Sequence, residues 1–133
     1  MSCKSLLYTT LLTTTTVDAG GLIPISAITR RIGTSMRVDG AVVTLLDPGY
    51  YMIAVNANVQ PEAAEAITMT ILENGVPLAG AVTTAEPAAI ADNTSMQIPA
   101  AIVRVYCKAS TTIAVRLSAD AAVTSAALTI IKV

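Results

Sequence analysis

Histidine, phenylalanine and tryptophan do not occur in this chain of 133 residues. Without imidazole there is no ordinary general base near neutral pH, no histidine metal ligand, and no histidine-activated serine or cysteine. With four tyrosines as the only aromatic residues, the core must be built from Ala, Val, Ile and Leu. Charge is scarce too. Charged residues make up 13% of the chain, about half of the ~25% usual in soluble domains. Eight bases and nine acids leave a net charge of −1, with a pI near 5.2. The bases are scattered, and the adjacent Arg30 and Arg31 would point to opposite faces of a strand. Nothing forms a phosphate-neutralising stripe, so nucleic acid is not an expected partner. Cys3 and Cys107 are the only cysteines, too few and too distant for a disulfide framework or a zinc site. Cys107 falls at the end of an apolar alternation and reads as a buried free thiol.

What is abundant is small and apolar. Hydrophobic residues reach 53% and the mean hydropathy is +0.66, yet no run approaches the roughly 18 apolar residues of a membrane helix. A membrane is therefore not an expected partner. Apolar content this high without a membrane span implies surface covered by other protein, and self-association is the simplest form of that. Near the N-terminus, Lys4 and the stretch Leu6–Leu12 faintly resemble a secretion signal. Thr13–Thr16 dilute it, so it reads as part of the fold. The length suits one domain, residues 1–133, with residues 1–20 as a strand or arm available for assembly contacts.

The periodicity is that of strands. Tyr51, Ile53, Val55, Ala57 and Val59 share one face of an extended segment, with Tyr50, Met52, Ala54, Asn56 and Asn58 on the other. Ile67, Met69 and Ile71 alternate with threonines. Ile113, Val115 and Leu117 alternate with Ala114, Arg116 and Ser118. Ala101, Val103, Val105 and Cys107 oppose Ile102, Arg104, Tyr106 and Lys108. Asp47-Pro48-Gly49 and Asp39-Gly40 read as turns, and Asn74-Gly75 as a two-residue hairpin. Leu6–Val17 reads as one strand, Leu22–Ile25 as an edge strand containing Pro24, and Thr94–Ile98 as a strand stopped at Pro99. The final strand runs Val123–Val133. Eight to ten short strands with no crossover helix give an all-β antiparallel sandwich. Its expected core holds Ile53, Val55, Ile71, Val103, Val105, Ile113, Val115 and Leu117.

Chemistry has little to work with. Glu62 with Glu65, and Asp92 with Asp47 or Asp120, are the carboxylate pairs to weigh, and Glu62 and Glu65 sit in a polar loop with no apolar frame to raise a pKa. Asp92-Asn93-Thr94 offers oxygens for calcium but reads better as a capped turn. No glycine-rich phosphate loop is present. No catalytic residue, metal or cofactor is expected. The expected contact surface is instead Tyr50, Met52, Ala54, Ile102, Arg104 and Tyr106, on faces turned away from the core rows.

Asp47-Pro48-Gly49-Tyr50-Tyr51 opening a central strand, the hairpin Leu72–Pro77 leading into Leu78-Ala79-Gly80, and a C-terminal closing strand together resemble the jelly rolls of the tumour necrosis factor and complement globular-head type. That resemblance implies a jelly-roll sandwich in which three copies pack around an axis. The chain lacks the aromatic-rich core of those proteins, and receptor binding of their kind does not carry over. Met1-Ser2-Cys3 with Leu6-Leu7-Tyr8, together with Ile28–Gly33 and Ala101–Cys107, resembles small structural proteins of phages and prophages of Gram-positive bacteria. This second resemblance implies a virion protein, such as a head decoration, head fibre or fibre tip. Its partners would be copies of itself and other virion proteins such as the major capsid protein. The alternative is a module exported to a bacterial surface that adheres to a glycan or receptor.

Overall fold

The computed structural model describes residues 5–11, 13–63, 65–87, 89 and 93–133. Cys3 and Asp92, weighed above as a thiol and a carboxylate, lie outside them. The described residues form eleven strands: β1 (Ser5–Thr10), β2 (Thr15–Val17), β3 (Ala27–Ile32), β4 (Met36–Asp39), β5 (Val42–Leu45), β6 (Gly49–Pro61), β7 (Ile67–Glu73), β8 (Val76–Ala85), β9 (Thr94–Val105), β10 (Thr111–Leu117) and β11 (Ala121–Lys132). They make two antiparallel sheets. One runs β3-β1-β11-β6-β9, with β2 paired to β11, and the other runs β4-β5-β10-β7-β8.

Alternation along each strand determines which side meets the other sheet. Tyr51, Ile53, Val55, Ala57 and Val59 of β6 are buried and face Met69, Ile71, Ile113, Val115 and Leu117 from the second sheet, within one continuous apolar cluster. All eight expected core residues lie in it. Aliphatic side chains and the methionines Met36, Met69 and Met96 fill it, with Tyr51 the only aromatic residue among them.

One end of the sandwich is closed by polar contacts. The Ser5 hydroxyl donates to Ser35 Oγ at 2.8 Å, the Ser35 hydroxyl to an Asp47 carboxylate oxygen at 2.6 Å, and the Tyr51 hydroxyl to the Asp47 carbonyl at 2.7 Å. The chain thereby ties β1, the turn after β3 and the turn before β6 together. The hairpin at Asn74-Gly75 has positive φ at both residues, 53° and 80°, as a type I′ turn requires.

Four expectations change. Leu6–Val17 is not one strand, because β1 ends at Thr10 and β2 begins at Thr15. Leu22–Ile25 forms only an isolated bridge, at Leu22 with Arg116; Pro24 has no N–H to give a ladder, although Ile23 and Ile25 are still buried. Pro99 does not end a strand: β9 runs through it. The residues Ile98 to Ala101 span Val55 to Ile53 across the ladder, so β9 carries one extra residue, and a bulge on an edge strand is where proline is tolerated. Cys107 is exposed, not buried. β9 ends at Val105, and the chain turns at once, with the Ala109 N–H donating to the Tyr106 carbonyl at 3.2 Å and Lys108 at φ 63°.

Candidate assembly face

The outer face of the six-stranded sheet is built by the residues that alternate with the core rows, and register places them in bands across the strands. The lowest band pairs Tyr50 on β6 with Arg104 on β9. The Arg104 guanidinium lies 4.5 Å from the centroid of the Tyr106 ring and 5.5 Å from that of Tyr50. It is held between two exposed rings at cation–π distance. The Val133 N–H donates to the Tyr50 carbonyl at 2.9 Å, so the chain's last residue borders the same cluster.

The next band is wholly apolar. Ile32, Leu6, Ile131, Met52 and Ile102 stand directly opposite one another, in that order, across β3, β1, β11, β6 and β9. Ile32 is 58% exposed, Ile102 56% and Met52 37%. Above it come Arg30, Tyr8, Thr129 and Ala54. Thr10, Ala127, Asn56 and Gln97 follow, and then Ser125, Asn58 and Ser95. Asn58 Nδ2 donates to Ser125 Oγ at 2.8 Å, and higher still Gln60 Nε2 donates to Asn93 Oδ1 at 3.1 Å. The face thus carries one apolar band between bands that hold Arg104 and Arg30, and is amide- and hydroxyl-bearing in its upper half. None of the six strands of this sheet contains Asp or Glu.

All six residues expected on a contact surface meet here. Tyr50, Met52 and Ala54 lie on β6, Ile102 and Arg104 on β9, and Tyr106 just beyond it. Sequence reading missed Leu6, Ile32 and Ile131, because the neighbours of a strand cannot be read from its own alternation. The candidate pairs of Asp92 with Asp47 or Asp120 lie outside the described residues. Asp47 precedes the start of β6 and Glu62 follows its end, so they lie at opposite ends of the sandwich. Asp120 accepts the Ala19 N–H at 2.6 Å, and Glu62 and Glu65 are exposed in the loop after β6. Among the described residues, no three of His, Cys, Asp or Glu are grouped so as to hold a metal ion. Among the described residues, no helix is long and apolar enough to cross a membrane.

No family model matches the chain, and no curated protein matches it in sequence. Solved structures do match. Murine APRIL at pH 5.0 superposes with a TM-score of 0.77 at 14% identity, over 98% of this chain and 99% of that one. The globular domain of zebrafish complement 1qA protein gives 0.64 at 7% identity, over 96% and 94%. The PRD1 vertex protein P5 gives 0.56 at 12% identity, over 100% and 99%. The chain has the tumour necrosis factor-like jelly-roll fold. At these identities the likeness is one of fold alone. Within this jelly roll, the banded face is the outer surface of the sheet that contains both β1 and the closing strand β11.

Proposed function

We propose that the chain is a non-enzymatic structural protein of a phage virion, a head decoration, head fibre or fibre-tip protein. In this reading it assembles as a homotrimer through the banded face and docks on the particle. The observation that carries the assembly is the apolar band spanning five strands on a face without carboxylates. Five strands about 4.8 Å apart and a longest strand of 13 residues at about 3.3 Å each make a face of about 20 by 40 Å. That is about 800 Å², one side of a standard stable interface. A face lacking acids and nearly neutral at its centre tolerates its own copy. The virion role draws support from the likeness over the full chain to the PRD1 vertex protein P5, and from the resemblance at Met1–Cys3 with Leu6–Tyr8.

Light scattering at micromolar concentration should give three times the 13.6 kDa of one chain. Met52→Asp should give a folded single chain, since it drives a carboxylate into the apolar band. A parent protein of single-chain mass would overturn the assembly. Co-sedimentation with particles in a density gradient tests the virion role. Recovery on the bacterial surface and not on particles would overturn it in favour of an exported adhesive module.

A further inference from the structure

The upper half of the face carries amides that the fold itself does not use. Asn56 and Gln97 stand opposite one another on β6 and β9, both exposed, and neither side chain makes a hydrogen bond within the described residues. Asn58, two residues on, commits its Nδ2 to Ser125. Its Oδ1 and the whole of the Asn56 and Gln97 amides therefore still need partners. In a free chain water supplies them. When the apolar band below becomes buried against another copy, the same continuous sheet carries the amides toward the contact. A polar group buried without a partner is costly, so the arrangement that forms must satisfy them.

We infer that Asn56, Gln97 and Asn58 form the layer that sets the number and register of copies, while the apolar band supplies the affinity. This rests on the reading that copies associate through this face. The occupant is a second copy of the chain. An amide carries both donors and acceptors, so the same residue brought in from a neighbouring copy can both give and receive. A carboxylate or ammonium layer would repel its own copy, and the face has no acid here. Apolar contact is non-directional and permits sliding or a change in copy number. Hydrogen bonds between amides permit only those arrangements in which the layers coincide, as a single asparagine does in coiled coils at a cost in stability.

Two variants test the inference by native mass spectrometry and sedimentation velocity at micromolar concentration. Both residues are exposed and point away from the core, and circular dichroism verifies the fold. Asn56→Leu with Gln97→Leu should keep the chains associated but replace one oligomer with a spread of copy numbers. Asn56→Asp places like charges in the layer. It should raise the concentration at which half the chains are monomeric by at least about tenfold at pH 7, about 1.4 kcal/mol. The increase should vanish once the carboxyl is protonated below about pH 4, with the parent at the same pH as control. A single unchanged oligomer for the double variant, with no pH-dependent weakening in Asn56→Asp, would overturn the layer. Met52→Asp would still separate the chains in that case, leaving the apolar reading intact. A parent that is monomeric throughout would overturn both.

Discussion

Tyr51 lies wholly inside the sandwich, yet its hydroxyl reaches the Asp47 carbonyl at 2.7 Å. Burial, and then the nearby negative charge of Asp47, raise its pKa above the ordinary value of 10.0. The folded state therefore holds this proton more tightly than the unfolded chain does. The stabilisation it brings is fully present below about pH 10 and is lost as pH rises through the higher folded value. Melting temperature should accordingly fall on the alkaline side of pH 10. Tyr51→Phe should flatten that fall while costing about 1 kcal/mol at neutral pH for the lost hydrogen bond. Identical alkaline slopes in the two proteins would remove Tyr51 as the cause. The aliphatic core obeys a simpler rule. Ile53 and Ile71 are completely buried, and truncating either to Ala removes transfer energy and leaves a cavity. The expected cost is about 2–4 kcal/mol, read as a lower urea midpoint with an unchanged slope. Glu62→Ala, on an exposed loop, should move that midpoint hardly at all.

At the scale of the element, the β7–β8 hairpin offers the cleanest test. A Cβ at Gly75 would meet nothing within 4 Å, but the residue sits at φ +80°. The obstacle to Gly75→Val is thus the backbone and not a clash. A β-branched residue is poorly suited to the left-handed region, at a cost of about 1–2 kcal/mol. Thermal unfolding of Gly75→Val should show that loss, and a melting temperature equal to the parent's would contradict the I′ turn. This hairpin was legible from Asn74-Gly75 because local chemistry alone specifies it. So was the half-buried β6, whose alternation is uninterrupted. Legibility failed where tertiary structure overrode a local signal. Pro99 looks like a stop, but a bulge on the edge strand β9 absorbs it. Cys107 continues the alternation of Val103 and Val105 in sequence, but the chain turns after Val105. The banded outer face was half legible. Met52 and Ile102 follow from alternation on their own strands, whereas Leu6, Ile32 and Ile131 join them only through registers set by long-range pairing.

For the molecule as a whole, the outer face of the six-stranded sheet separates two contributions that most interfaces mix. Among the described residues the acids lie elsewhere, in the loops and on β4 and β7, so association through this face would form no salt bridge between its own residues. Exposed ion pairs weaken as salt screens them, whereas apolar burial is strengthened by excluded salts such as sulfate. If the copies meet here, raising sodium chloride should leave the association nearly unchanged and ammonium sulfate should tighten it. Folding linked to association also makes stability depend on mass action, because the partner binds the folded chain and not the unfolded one. The melting temperature should therefore climb between about 1 and about 100 µM protein, and Met52→Asp should abolish the climb while preserving a cooperative transition. Association that weakened steeply with sodium chloride would show instead that charged residues outside the banded face carry the contact. A melting temperature independent of concentration would show that the sandwich holds itself together without a partner.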